Sequence, residues 1–178
     1  RGEMKSGGKK GERVPSERPG APEGAAGWPA GTRSGANHSI VFGGFSPAEL
    51  AGRIDDCKST FGITADEGLR GGKPIPLKEN TDKAIEIAAK AGTKVEKVVV
   101  VRRTGGKTGW VAGRDVWYHA ELATVKAECK PAKMKATDPL FLLYTPGSAR
   151  KPTRRLRTTA RSPLYVPTTH PPVSHYHH

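Results

Sequence analysis

Four consecutive valines, Val98-Val99-Val100-Val101, limit the fold of this chain more than any other feature of its sequence. β-Branched side chains fit a pleated surface, and a run with no polar alternation belongs to a strand covered on both faces. That is the position of an inner strand in a parallel sheet, and parallel neighbours need helical crossovers. The flanking sequence supplies them. Ser39-Ile40-Val41-Phe42 is a short apolar strand stopped by Gly43-Gly44, and Ser46-Pro47-Ala48-Glu49 then sets out a capping hydroxyl, a proline in the first helical turn and a carboxylate three residues on. Leu50, Ala51 and Ile54 line one side of the helix that follows.

Phe61 to Ala65 reads as a further strand, followed by the glycine-rich basic loop Gly68-Leu69-Arg70-Gly71-Gly72-Lys73. Thr81 to Ala91 forms a helix with Ala84, Ile85, Ala88 and Ala89 on its apolar side and Gly92 as a left-handed cap. Asp115 is placed to cap another helix through about Lys126, and Leu140-Phe141-Leu142-Leu143-Tyr144 is a last apolar strand. The expected fold is α/β, a partial, largely parallel sheet with crossover helices.

Charge divides the chain. The formal net charge is +13, yet residues 1–20 carry +3, residues 149–178 carry +6 and only +4 remains for everything between. Both ends lack an apolar period, and the 15 prolines and 22 glycines interrupt the chain further. Residues 1–37 are therefore expected to be a degraded, disordered segment, 38–148 the packed region, and 149–178 a basic, disordered tail. A basic protein that binds nucleic acid is the alternative from another class, supported by the charge and by Arg154-Arg155-Leu156-Arg157. Interleaved aromatics and a recognised motif are missing for it, so nucleic acid is not the expected partner.

Cys57 and Cys129 are far apart and form neither a CxxC pair nor a secreted framework, which points to a reducing compartment. His170, His175, His177 and His178 fall in the aperiodic tail with no cysteine partner, so no metal site is assigned. No apolar stretch reaches the roughly 20 residues of a spanning helix, and no signal peptide is visible. A cytoplasmic protein without a membrane partner is expected. The opening residue is Arg1 instead of methionine, which suggests a missing piece in front.

The sharpest chemical constellation is Asp138-Pro139-Leu140-Phe141-Leu142-Leu143-Tyr144-Thr145-Pro146-Gly147-Ser148, continuing as Ala149-Arg150-Lys151-Pro152. A small polar loop after a strand offers hydroxyls and close backbone N–H groups to a phosphate, and a nearby lysine adds charge. Alone, such a loop is a weak signal, since small polar loops after strands are usually turns. The segment resembles the adenylate-forming signature of the acetyl-coenzyme A synthetase family, Tyr-Thr-Ser-Gly-Ser-Thr-Gly-Lys-Pro-Lys-Gly. The same family is matched in order by His38 through Pro47, Leu50-Ala51-Gly52-Arg53-Ile54, Ile63 through Gly68, Val98 through Gly106, and Gly113-Arg114-Asp115-Val116-Trp117.

The ends match less well. Lys9-Lys10-Gly11-Glu12-Arg13-Val14 is similar to the family's Lys-Gly-Asp-Arg-Val, after which Pro15 to Asn37 keep the spacing and lose the apolar residues. In the signature, Pro146, Ala149 and Arg150 replace Ser, Thr and Gly. Pro146 removes a backbone donor, and Arg150 would cost about 1–2 kcal/mol wherever glycine's positive φ is required. The pattern suggests sequence errors or gene decay.

The resemblance implies an N-terminal-domain piece of an AMP-forming acetate–CoA ligase, which converts ATP, acetate and coenzyme A to acetyl-CoA, AMP and diphosphate through an acetyl-adenylate, with magnesium on the phosphates. It assigns Thr145, Gly147, Ser148 and Lys151 to the ATP phosphates and Arg70, Gly71, Gly72 and Lys73 to coenzyme A, and it assigns no catalytic residue. The acyl pocket and the catalytic lysine are expected beyond His178, so activity of the chain alone is not expected and a propionate–CoA ligase is the nearest alternative.

Overall fold

The computed structural model describes residues 10–18, 31–125, 130–145 and 153–161. Nine strands and three helices are described here: β1 Arg13–Arg18, β2 Asn37–Phe42, α1 Pro47–Cys57, β3 Phe61–Ala65, β4 Gly68–Arg70, β5 Lys73–Ile75, α2 Leu77–Lys90, β6 Lys97–Val101, β7 Asp115–Trp117, α3 Tyr118–Ala123, β8 Pro139–Thr145 and β9 Thr153–Thr158. Seven strands form one sheet in the order β7-β6-β3-β1-β2-β8-β9, parallel throughout except for the antiparallel β8–β9 pair. β4 and β5 make a separate antiparallel hairpin.

The valine run behaves as its sequence requires. β6 pairs with β3 and β7, and Val98 to Val101 are all buried. Val98 and Val100 meet α1 and α2 through Leu50, Ala51, Ile54, Ala84, Ile85 and Ala88. Val99 packs on the opposite face with Val14, Phe61 and Ile63. The Ser46–Glu49 capping box forms in full, with the Ser46 hydroxyl accepting from the Glu49 amide and the Glu49 carboxylate accepting from the Ser46 amide. α2 begins at Leu77, ahead of the expected Thr81, because Leu77 is fully buried and extends the apolar stripe by a turn; Ala89 is exposed instead of lying on that stripe.

Three expectations are corrected. Arg13–Arg18 lies in the middle of the sheet, between β2 and β3, where no regular structure was expected. Its side chains gave no apolar period, and Pro15 withholds a ladder donor, but backbone pairing with the partner strand, Arg13 with Asn37 through Arg18 with Phe42, selects the strand. The basic residues Thr153–Thr158 form an edge strand, a place where charged side chains remain in water. Asp115 caps no helix: it starts β7, and its carboxylate binds Lys78, Arg114 and the Val111 amide. α3 starts three residues later and has no side-chain cap.

Candidate functional site

In an open parallel sheet, ligands bind beyond the carboxyl ends of the strands. Four connections leave that edge within the described residues: the Gly43-Gly44 turn after β2, the segment with the hairpin after β3, Arg102 to Lys107 after β6, and the direct passage of β7 into α3. The hairpin pairs Arg70 directly with Lys73 across Gly71 and Gly72, whose φ values are 56° and 75°. Two successive left-handed residues make a tight hairpin turn that glycine adopts without strain. Both cations are exposed, and like charges directly opposite in an antiparallel pair disfavour one another. An anion bound between them relieves that repulsion.

The turn after β2 abuts the hairpin. Gly44 has φ 95°, and a Cβ added there would stand 3.3 Å from Ile75 Cδ1 on β5. Phe42, at the end of β2, is 78% exposed, so a bare aromatic ring stands two residues before this contact.

Asp66 ties the root of the hairpin to the loop after β6. Its buried carboxylate accepts the amide hydrogens of Glu67 at 2.7 Å, Arg103 at 2.8 Å, Thr104 at 3.2 Å and Gly105 at 2.8 Å. Burial pushes this carboxyl up, but the four amides outweigh it and hold Asp66 below the usual carboxylate range. The anchored loop carries Arg102, Arg103 and Lys107. Arg102 lies 4.8 Å over the Trp117 ring, which stacks on Trp110 at 4.6 Å.

Beneath the site runs a buried polar chain. Glu17 on β1 is 1% exposed; its Oε1 accepts the Gly44 amide at 3.3 Å and its Oε2 accepts the Thr81 hydroxyl at 3.0 Å. Burial pushes the Glu17 carboxyl up to about 6, against the smaller downward effect of these two donors. On the same helix Lys78 is fully buried and bonds Asp82 at 2.7 Å and Asp115 at 2.9 Å, while Arg114 bonds both carboxylates. Burial pushes Asp115 up, but Arg114, the Val111 amide and Lys78 outweigh it and keep it low.

The structure thus brings Arg70, Gly71, Gly72 and Lys73 together on one hairpin. Thr145 ends β8, whose parallel pairing with β2 directs it to the same sheet edge; Gly147, Ser148 and Lys151 lie outside the described residues. The Tyr144 hydroxyl, one residue before Thr145, points away into α1, donating to Asp56 at 2.6 Å and lying 3.0 Å from Cys57 Sγ. Burial, and after it the Asp56 carboxylate, push this phenol far up. Sequence reading missed Asp66 and Glu17. Asp66 had a signal, an acid between a strand and a glycine-rich loop; Glu17 had none, because its burial follows from the central place of β1. Among the described residues no group of three or more His, Cys, Asp or Glu side chains comes together to hold a metal, and no helix is long and apolar enough to cross a membrane.

No protein-family profile matches the chain. Individual proteins match along nearly all of it. It is 66% identical over 173 residues to the acetyl-coenzyme A synthetase of Mesorhizobium japonicum, covering 97% of this chain and 27% of that protein. It is 63% identical over 172 residues to the acetyl-coenzyme A synthetase of Agrobacterium fabrum, covering 97% and 26%. The chain therefore spans about a quarter of the length of the relatives it matches. Among solved structures, an acetoacetyl-CoA synthetase from Streptomyces lividans superposes with a TM-score of 0.76 at 17% identity, over 88% of this chain and 23% of that one, which establishes a shared fold.

Proposed function

We propose that this chain, a stretch of sequence of the acetyl-coenzyme A synthetase family, serves an AMP-forming acetate–CoA ligase and contributes to it the coenzyme A hairpin and the entry to the ATP phosphate loop. The observation that carries the reading is identity of 66% along 97% of the chain to an acetyl-coenzyme A synthetase, joined to a hairpin that opposes two exposed cations. The proposed reaction activates acetate with ATP to acetyl-adenylate and diphosphate, then passes the acetyl group to coenzyme A. Catalysis of this kind depends on positioning and on neutralising phosphate charge, which is the chemistry that Arg70 and Lys73 supply.

Arg70 and Lys73 bind the phosphate end of coenzyme A in this reading. Arg70 offers a planar fork and Lys73 a point charge, and the hairpin register sets them opposite one another. Thr145, Gly147, Ser148 and Lys151 are proposed for the ATP phosphates. Magnesium would travel on those phosphates; the described residues offer it no assembled donor set, so no step is assigned through it. A cytoplasmic location is part of the same proposal.

Calorimetric titration of the chain with coenzyme A and with its 3′-dephospho form tests the hairpin assignment. Coenzyme A is expected to bind more tightly than the dephospho form, and Arg70→Ala with Lys73→Ala is expected to remove that preference. Equal affinity for both ligands, or a preference that survives the double change, would overturn it.

A further inference from the structure

Glu17 occupies an unusual position for an ionisable side chain. It sits on the central strand and is 1% exposed, and its two oxygens contact two different elements. Oε1 accepts the amide hydrogen of Gly44 at 3.3 Å, in the turn that leads into the capping box of α1. Oε2 accepts from Thr81 Oγ1 at 3.0 Å, one helical turn into α2. These two elements flank the hairpin: Gly44 is close to Ile75 on β5, and α2 begins two residues after β5 ends.

Thr81 has one hydroxyl proton and three oxygens within reach, Glu17 Oε2 and Thr64 Oγ1 at 3.0 Å and the Leu77 carbonyl at 2.9 Å. When Glu17 is ionised, Thr81 donates to it. When Glu17 is protonated, the direction reverses, with Glu17 donating to Thr81 and Thr81 to Leu77. The Gly44 amide has an acceptor in both states. Around the carboxylate the space is lined by apolar side chains, including Leu50 and Ile54 from α1 and Ile85 from α2, and no other lining residue is charged. Of the charged groups on the packed helices, Lys78 and Asp82 of α2 are engaged with Asp115 and Arg114, Arg53 of α1 lies over the Phe45 ring, and Glu86 and Lys90 of α2 are exposed.

We propose that Glu17 is a positioning residue of the coenzyme A site: it clamps the Gly43-Gly44 turn to the N-terminal half of α2, and so fixes the walls between which the Arg70–Lys73 hairpin stands. The proposal rests on reading that hairpin as the coenzyme A contact. Glu17 touches no ligand in it. It acts through the Gly44 amide, and a glutamine satisfies the same geometry, its oxygen accepting from Gly44 and its amide donating to Thr81.

Two measurements on the 178-residue chain test the clamp. In ¹⁵N-labelled protein titrated from about pH 4.5 to 8, the Gly44 amide resonance is expected to shift with a midpoint near the Glu17 value of about 6 and to stay still in Glu17→Gln. In calorimetry with coenzyme A at pH 7, Glu17→Leu is expected to weaken binding about tenfold, the scale of one lost positioning hydrogen bond, and Glu17→Gln to restore the unsubstituted affinity. A Gly44 resonance indifferent to Glu17, or a folded Glu17→Leu chain that binds coenzyme A as tightly as the unsubstituted one, would overturn the proposal. If Glu17→Leu does not fold, the Gly44 titration and the glutamine variant decide. If the unsubstituted chain binds no coenzyme A, the ligand assignment of the hairpin falls, while the Gly44 titration still shows whether Glu17 holds the turn.

Discussion

The carboxylate of Asp66 accepts the amide hydrogen of Gly105 at 2.8 Å across 39 residues of sequence, and this one acceptor holds the loop after β6 against the root of the hairpin. With Glu67, Arg103 and Thr104 also donating, four backbone amides converge on one side chain. Asp66→Asn keeps the shape but turns one acceptor oxygen into an NH₂ group facing donors. The expected loss is about 2–3 kcal/mol, since buried amides lose a charged partner. Urea unfolding measures it, and an unchanged midpoint would mean that the loop holds itself.

Gly106 leaves room for the Glu67 side chain. Its φ is not in the left-handed range, but a Cβ there would overlap the Glu67 carboxylate, which accepts the Thr104 hydroxyl at 2.6 Å. Glu67 is a flexible chain end and can swing away, so Gly106→Ala should cost at most about 1 kcal/mol, the net worth of the hydrogen bond it displaces. In a Glu67→Ala background the same change should cost nothing. A double-mutant cycle reads the difference, and equal costs in both backgrounds would place the obstacle in the backbone.

Stability should respond to pH in two opposed windows. Glu17 titrates higher in the folded chain, about 6 against an ordinary 4.5, so its contribution is complete below about 4.5 and is lost as pH rises through about 6. Asp66 and Asp115 titrate low in the folded chain, so theirs is complete above the ordinary carboxylate range and is lost as pH falls below that range through their lowered folded values. Glu17→Gln should remove the first window and raise stability at pH 7 by up to about 2 kcal/mol. Thermal melts from pH 4 to 8 test the sign: a Glu17→Gln chain that is less stable than the parent at pH 7 would refute it.

Lys78 is buried without exposure between Asp82 and Asp115. Lys78→Ala leaves Asp115 to Arg114 and the Val111 amide and opens a cavity, and a loss of about 3–5 kcal/mol is expected. Hydrogen exchange should show the loss around β7, the strand that this lysine fastens to α2. Protection there equal to that of the parent would refute the role.

The sequence alone determined whatever depends on near neighbours along the chain. Val98-Val99-Val100-Val101 has no polar face to offer water, so a doubly covered strand was legible without coordinates, and so was the α1 capping box, whose partners lie three residues apart. The hairpin residues Arg70 to Lys73 were visible as a basic glycine turn for the same reason. Only the tertiary structure decided the rest. β1 is a strand because β2 and β3 offer it hydrogen-bonding partners on both sides, a property of the sheet that Pro15, Ser16 and Glu17 do not announce. The burial of Glu17 follows from that central place, and its hydrogen bonds to Gly44 and Thr81 span 27 and 64 residues. Asp115 carried a helix-cap signal, yet Lys78 and Arg114 claimed its carboxylate, because a buried lysine and a partly buried arginine outweigh a few exposed amides in the competition for one anion.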